Sequence, residues 1–148
     1  ARTSGKPGKT RLWNYFRVAG RFYLVDLPGY GYAKVSKSQR ATWREYFPRY
    51  LASEDRAIAA IHLLDARHPP SDDDLEVAAW IRAAQVPSAV ALTKIDKLGT
   101  NERPRRYTEI VSALGMGAEV PVFATSAARR IGRVEMWAWI DALLTANA

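Results

Sequence analysis

The 148-residue chain contains no cysteine, which excludes a disulfide framework and any zinc site built on thiolates. That absence fits a cytosol without demanding one. No run of eighteen apolar residues occurs and the opening is not signal-like, so no membrane span is expected. Histidine is scarce: His62 and His68 stand apart from any set of ligands, no metal site is read on them, and His68 reads as structural. Nowhere does G-x-x-x-x-G-K-[ST] appear, the loop that cradles phosphates and supplies a lysine and a hydroxyl. The nearest string, Gly5-Lys6-Pro7-Gly8-Lys9-Thr10, ends in Gly-Lys-Thr, but its glycines are too close and no strand precedes it. Internal repeats, low-complexity tracts and linkers are also missing. What remains is ordinary globular usage, 48% apolar and 25% charged, at a length that suits one domain with a real core.

Two short strings carry the chemistry. Asp26-Leu27-Pro28-Gly29 follows an apolar run. A D-x-x-G turn at a strand end puts a carboxylate near a nucleotide-bound Mg²⁺, and its glycine offers an N–H to the terminal phosphate without a side chain in the way. Thr93-Lys94-Ile95-Asp96 follows a second apolar run. Its aspartate can accept two parallel hydrogen bonds from one base edge, and only guanine supplies N1–H and N2–H₂ side by side. Either string alone is weak. In this order, each at the end of a strand, they point to a GTPase.

The surrounding residues resemble a family. Ala1-Arg2-Thr3-Ser4-Gly5-Lys6-Pro7-Gly8-Lys9-Thr10 is similar to the switch I segment of the EngB (YihA/YsxC) group of bacterial ribosome-assembly GTPases, among the TrmE-Era-EngA-EngB-Septin-like P-loop GTPases. Asp26-Leu27-Pro28-Gly29-Tyr30-Gly31-Tyr32-Ala33-Lys34-Val35-Ser36 looks like its switch II, and Asp65-Ala66-Arg67-His68-Pro69-Pro70 like its strand-four signature. Asn14-Tyr15-Phe16 and Thr93-Lys94-Ile95-Asp96-Lys97-Leu98 also fit, and the similarity runs essentially end to end. Relative to that group the chain opens at switch I, at Ala1 and not at a methionine, without one strand, the P-loop and the first helix, on the order of 40 residues or more. The resemblance implies a three-layer α/β P-loop GTPase (Ras-like) fold lacking that unit, with residues 1–148 forming a partial G domain. It also implies GTP or GDP as ligand and Mg²⁺ as cofactor. The complete protein is expected to be a cytoplasmic monomer acting in large ribosomal subunit assembly, with a family-level link to cell division and septation.

The same resemblance assigns residues. Thr10 matches the switch I threonine whose hydroxyl ligates Mg²⁺, within a nucleotide-facing stretch of Gly8, Lys9, Thr10, Arg11 and Leu12. Asp26 is the second metal-side group, followed by Leu27, Pro28 and Gly29. Lys94 lays its aliphatic stem along the base plane while Asp96 reads the base edge, with Thr93 and Ile95 completing the string. Thr125, Ser126 and Ala127 resemble the loop whose N–H groups meet the guanine carbonyl. Tyr30 stands where better-known small GTPases carry a water-orienting glutamine. That substitution implies slow intrinsic hydrolysis helped by RNA, a monovalent cation or a ribosomal partner, and no residue here is named as general base.

Charge is uneven. Of the 22 Lys and Arg, half fall in residues 1–50 beside only Asp26 and Glu45; the later residues carry a small net negative charge. Such a basic half suits ribosomal RNA, with Trp13, Tyr15, Tyr30, Tyr32 and Trp43 as stacking candidates or core. A second reading follows from the missing phosphate loop. The chain is then a nucleotide-poor fragment, inactive alone and prone to self-association, that acts as a basic RNA- or protein-binding module.

Periodicity predicts alternating strands and helices, hence a largely parallel sheet. Residues 12–19 and 21–26 read as an antiparallel hairpin. Ser36 with Gln39 forms a capping box for a helix with Trp43, Tyr46, Phe47, Tyr50 and Leu51 on one face, kinked or split at Pro48. Residues 57–65 read as a buried strand. Ser71 with Asp74 caps a helix striped by Val77, Trp80, Ile81 and Ala84. Residues 87–93 form a strand, Tyr107, Ile110, Val111 and Leu114 mark a helix, and residues 120–125 another strand. Val134, Trp137, Ile140 and Leu144 mark the last helix, with Trp137 and Trp139 as packing residues.

Overall fold

Between Val18 and Arg21 the chain reverses on two residues with positive φ, Ala19 at 48° and Gly20 at 71°. That is the I′ pattern, whose twist matches that of paired strands, and the Arg21 N–H closes it on the Val18 carbonyl at 2.9 Å. The computed structural model describes residues 13–27, 37–53 and 59–146. The turn joins β1 (Asn14–Val18) to β2 (Phe22–Asp26), antiparallel from Asn14 opposite Asp26 to Val18 opposite Phe22. The predicted hairpin is present, with both strands somewhat shorter than the apolar runs.

Helix α1 (Lys37–Leu51) follows and stays unbroken through Pro48. The expected split does not occur, because Pro48 lies in the last turn, where a missing N–H costs one hydrogen bond and little helix remains to disrupt. Phe47 and Leu51 are buried, whereas Tyr46 is exposed, so the buried stripe is narrower than its periodicity suggests. Ser36 lies outside the described residues. The chain divides into two compact units, residues 1–45 and 46–148.

In the second unit β3 (Ala60–Asp65), β4 (Ser88–Thr93) and β5 (Val122–Ala124) form a parallel sheet in the order β3-β4-β5. Helix α2 (Asp72–Ala84) links β3 to β4, and α3 (Arg103–Leu114) links β4 to β5. Central β4 is buried from Ala89 to Leu92, as expected for a parallel strand with an unbroken apolar run. Strand β3 is not buried throughout: His62 and Leu64 are, while Leu63, on the opposite face, is 61% exposed. Strand alternation sends neighbouring side chains to opposite faces, and only the His62–Leu64 face of β3 is covered.

Local chemistry fixes the helices. Ser71 caps α2 in a complete capping box, its hydroxyl accepting from the Asp74 N–H while the Asp74 carboxylate accepts from the Ser71 N–H at 2.8 Å. Val77, Ala78 and Ile81 are buried, and Trp80 meets Phe47 with ring centroids 5.9 Å apart. Gly115, at φ 60°, ends α3 in the left-handed conformation. The Arg82 guanidinium of α2 donates to the Leu114 carbonyl, tying the two helix ends together. The core gathers Leu64, Ala66, Ala78, Val90, Leu92, Ile95, Ile110 and Leu114.

Helix α4 (Arg133–Ala146) is placed as predicted but turned. Val134 is 77% exposed and Trp137 is also exposed, while Ile140 and Leu144 of the predicted stripe are half-buried together with Met136, Trp139 and Leu143. Trp139 meets Phe123 of β5 edge-on. The helix is apolar on more than one side, so periodicity alone could not choose its face. Trp139 packs as expected, whereas Trp137 lies on the exposed side.

Candidate guanine-base site

Three strand ends converge at the C-terminal edge of the parallel sheet, where open α/β sheets bind ligands. Strand β4 ends at Thr93, whose hydroxyl donates to the Leu64 carbonyl at 2.9 Å and ties β4 to β3. Lys94 then takes a left-handed conformation, φ 59°, and opens a short 3₁₀ turn over Ile95–Lys97. Ile95 points into the core and is buried, so its side chain packs and does not face a ligand. Its N–H donates to the Thr125 carbonyl at 3.2 Å, and the Thr125 N–H donates back to Leu92 at 2.7 Å. These crossed bonds clamp the loop after β4 to the loop after β5.

Asp96 sits where the clamp holds it. Ser126, only 1% exposed, donates its hydroxyl to Asp96 Oδ1 at 2.5 Å and accepts from the Arg129 N–H at 3.1 Å. The Ser126 hydroxyl holds the Asp96 carboxyl below the usual carboxylate range, with help from its own backbone, Lys97 and Arg129. Asp96 Oδ2 has the Lys97 ammonium 3.8 Å away, its one ion pair among the described residues. One oxygen is therefore oriented by the protein and the other is available to an incoming donor.

The loop after β5 is closed by its own backbone. Ser126 and Ile131 exchange N–H···O bonds at 3.2 and 3.0 Å. Gly132, at φ 77°, follows; a Cβ there would lie 2.5 Å from the Ala124 carbonyl oxygen, so only glycine fits. The N–H groups expected to face a ligand are thus unequal. Those of Thr125 and Ser126 are committed internally, while Ala127's makes no bond among the described residues.

On the other side, Asp65 at the end of β3 accepts from the Lys94 ammonium at 2.9 Å. Arg67 also grips Asp65, through Nε at 2.9 Å, Nη2 at 2.7 Å and its backbone N–H at 3.1 Å. The Arg67 fork holds the Asp65 carboxyl well below the ordinary range against the opposing effect of burial, with Lys94 adding to the pull. Sequence reasoning treated Asp65 and Arg67 as a signature without a role, and it missed Arg129 and Gly132. The Gly after a basic loop was the one visible signal.

The remaining predicted residues divide. Asp26 ends β2 exposed, with Leu27 after it. Gly8, Lys9, Thr10, Arg11, Leu12, Pro28 and Gly29 lie outside the described residues, as do Tyr30 and Tyr32. Among the described residues no group of three or more His, Asp or Glu is placed to hold a metal ion, and no helix is long and apolar enough to cross a membrane. His62 is buried with Asp74 3.9 Å away. A cleft of about 620 Å³ lies at the opposite edge of the sheet, bordered by Pro87, Ser88, Pro121 and Trp139, away from these loops.

Comparison with known proteins bears on the family and the fold. A family model described as 50S ribosome-binding GTPase matches residues 1–94. A protein named "Probable GTP-binding protein EngB" from Citrifermentans bemidjiense is 42% identical over 147 residues, 99% of this chain and 68% of the relative. One of the same name from Lactiplantibacillus plantarum is 39% identical over 142 residues, 96% of this chain and 72% of that protein. A crystal structure titled as a probable GTP-binding protein EngB shares the fold at a TM-score of 0.75 and 15% identity, over 97% of this chain and 88% of that one. Era, in a complex with MgGDPNP and a segment of 16S ribosomal RNA, matches at 0.64 and 21% identity over 97% of this chain and 47% of its own. The three-stranded parallel sheet and the separate hairpin are those of the P-loop GTPase fold, and the chain belongs to the EngB family of GTP-binding proteins.

Proposed function

We propose that this chain is the base-reading and switch-bearing part of a GTPase that acts in large ribosomal subunit assembly in the cytoplasm, with a link to cell division and septation. The observation that carries the nucleotide reading is the Asp96 carboxylate, oriented by the Ser126 hydroxyl in the loop that Lys94 opens at the sheet's C-terminal edge. In this reading Asp96 accepts from guanine N1–H and N2–H₂, Lys94 covers one face of the base, and the Ala127 N–H meets the base carbonyl. Asp26, an exposed carboxylate at a strand end, offers the hard oxygen that Mg²⁺ prefers, with the Thr10 hydroxyl as the second donor. When bound, Mg²⁺ would neutralise phosphate charge; the Gly29 N–H would meet the terminal phosphate. Ribosomal RNA as partner is supported by the basic first third of the chain, by the family's description as ribosome-binding, and by Era's RNA complex.

The test is base exchange. In the natural gene product Asp96→Asn replaces an acceptor oxygen by an NH₂ that faces guanine's own donors. Loss of a hydrogen bond to a charged group costs roughly 1.5–3 kcal/mol, about one to two decades in GDP affinity. Xanthosine diphosphate, whose C2 carbonyl accepts from that NH₂, should bind the variant better than the parent. Equal GDP affinity in both proteins would remove Asp96 from the base site. A second reading rests on the absence of G-x-x-x-x-G-K-[ST] from all 148 residues: a nucleotide-poor basic module, favoured if neither protein binds GDP.

A further inference from the structure

Lys94 combines two features that need explaining. Its backbone is left-handed, φ 59°, a conformation that costs a side-chain-bearing residue free energy unless its surroundings hold it. Its ammonium turns toward the neighbouring strand, 2.9 Å from Asp65 Oδ2. Asp65 and Thr93 are register partners across β3 and β4, so the Lys94 side chain crosses from the end of one strand to the end of the next. A lysine held at both ends has its methylene stem restrained.

The anchor is itself fixed. Arg67, two residues beyond Asp65, holds both carboxylate oxygens from the far side. Neither ion pair is deeply buried: the Lys94 side chain is 56% and the Arg67 side chain 40% exposed. Pairs this exposed contribute little to stability. Their physical content is orientation, because a free lysine must lose rotamer freedom when it settles on a ligand, and a pinned one has already lost it.

We propose that Asp65 is a positioning residue for base binding: held by Arg67, it pins the Lys94 ammonium so that the lysine stem forms a preformed wall of the guanine slot. The inference rests on the guanine reading of Asp96 and Lys94 and assigns a role to the strand-end carboxylate. Asp65 touches no base; it acts through Lys94.

A double-mutant cycle on the natural gene product tests this, with GDP binding measured by calorimetry. Asp65→Asn keeps the shape and removes the charge, and should weaken GDP ~3–10-fold, in keeping with an exposed charged contact. In a Lys94→Ala background the same change should have no further effect. Arg67→Ala loosens the anchor from the far side and should give a smaller loss, again only while Lys94 is present. The GDP-to-XDP preference should not change in Asp65→Asn. A merely structural Asp65 would lower thermal stability and weaken GDP equally in both backgrounds, and that result overturns the proposal, as does unaltered affinity in Asp65→Asn. Asp96→Asn, run in parallel, separates the two levels. If it retains the parent's base preference, the guanine reading falls and the pin with it. If it turns to XDP while Asp65→Asn binds as the parent does, only the pin falls.

Discussion

A carboxylate that reads a base must be ionised, and the Ser126 hydroxyl extends that form of Asp96 further into acid. The hydroxyl bond at 2.5 Å lowers the Asp96 pKa in the folded protein. The sign follows from linkage: with the folded pKa depressed below the unfolded one, the contribution is present above the unfolded value near 3.9. It is lost as pH falls through the folded value. GDP affinity should therefore be flat from pH 8 down to about 5 in the parent. Ser126→Ala should raise the Asp96 pKa and move the acid limb of a pH–affinity profile upward. An unmoved limb would show that the hydroxyl does not govern Asp96. At this scale the sequence was informative where a short string follows a strand, as with Thr93-Lys94-Ile95-Asp96 at the end of β4. It named Ser126 for its backbone N–H and not for its hydroxyl, which is the group that meets Asp96. It was silent on Asp65, because an aspartate at a strand end is compatible with many partners and only the register with Thr93 brings Lys94 within reach.

Elements were legible where a local rule determines them. The Ser71–Asp74 box is read from two residues and appears with both bonds made. Removing it by Ser71→Ala should cost about 1 kcal/mol, a drop in Tm of roughly 2–4 °C for a chain of this size. The loop after β5 shows the opposite case. Its shape depends on Gly132 lying against the Ala124 carbonyl, a tertiary contact that spacing does not reveal. Gly132→Ala forces a left-handed residue with a Cβ into occupied space and should destabilise by about 1–3 kcal/mol. Because that loop carries Ser126, GDP affinity should fall alongside Tm, whereas Ser71→Ala should lower Tm alone. The faces of β3 and α4 were the least legible elements. An apolar run predicts burial only if something covers it, and Leu63 and Val134 are exposed.

For the whole molecule the deciding quantities are charge and what the sheet leaves unpaired. The net charge of +7 arises in residues 1–50, so association with ribosomal particles should fall steeply with salt, as expected when several phosphates are neutralised. Reversing Lys34, Lys37 and Arg40 should weaken that association and leave GDP affinity nearly unchanged; binding that is flat in salt would reduce the basic half to a solvated surface. Among the described residues β2 pairs only with β1, and β3 only with β4. Among the described residues each thus keeps an edge of N–H and C=O groups without a neighbouring strand, and Leu63 adds exposed apolar surface on β3. Such edges favour association. The polypeptide also contains no G-x-x-x-x-G-K-[ST], so Asp96 and Lys94 would hold a base whose phosphates lack that cradle. Residues 1–148 alone should therefore bind GDP at least ~100-fold more weakly than a chimera with a strand, Walker loop and helix fused ahead of Ala1, about 2.7 kcal/mol. They should also sediment as oligomers where the chimera sediments as a monomer. Submicromolar, Mg²⁺-dependent GDP binding by residues 1–148, measured by calorimetry, would overturn this and would mean that another segment of the chain performs the Walker loop's work.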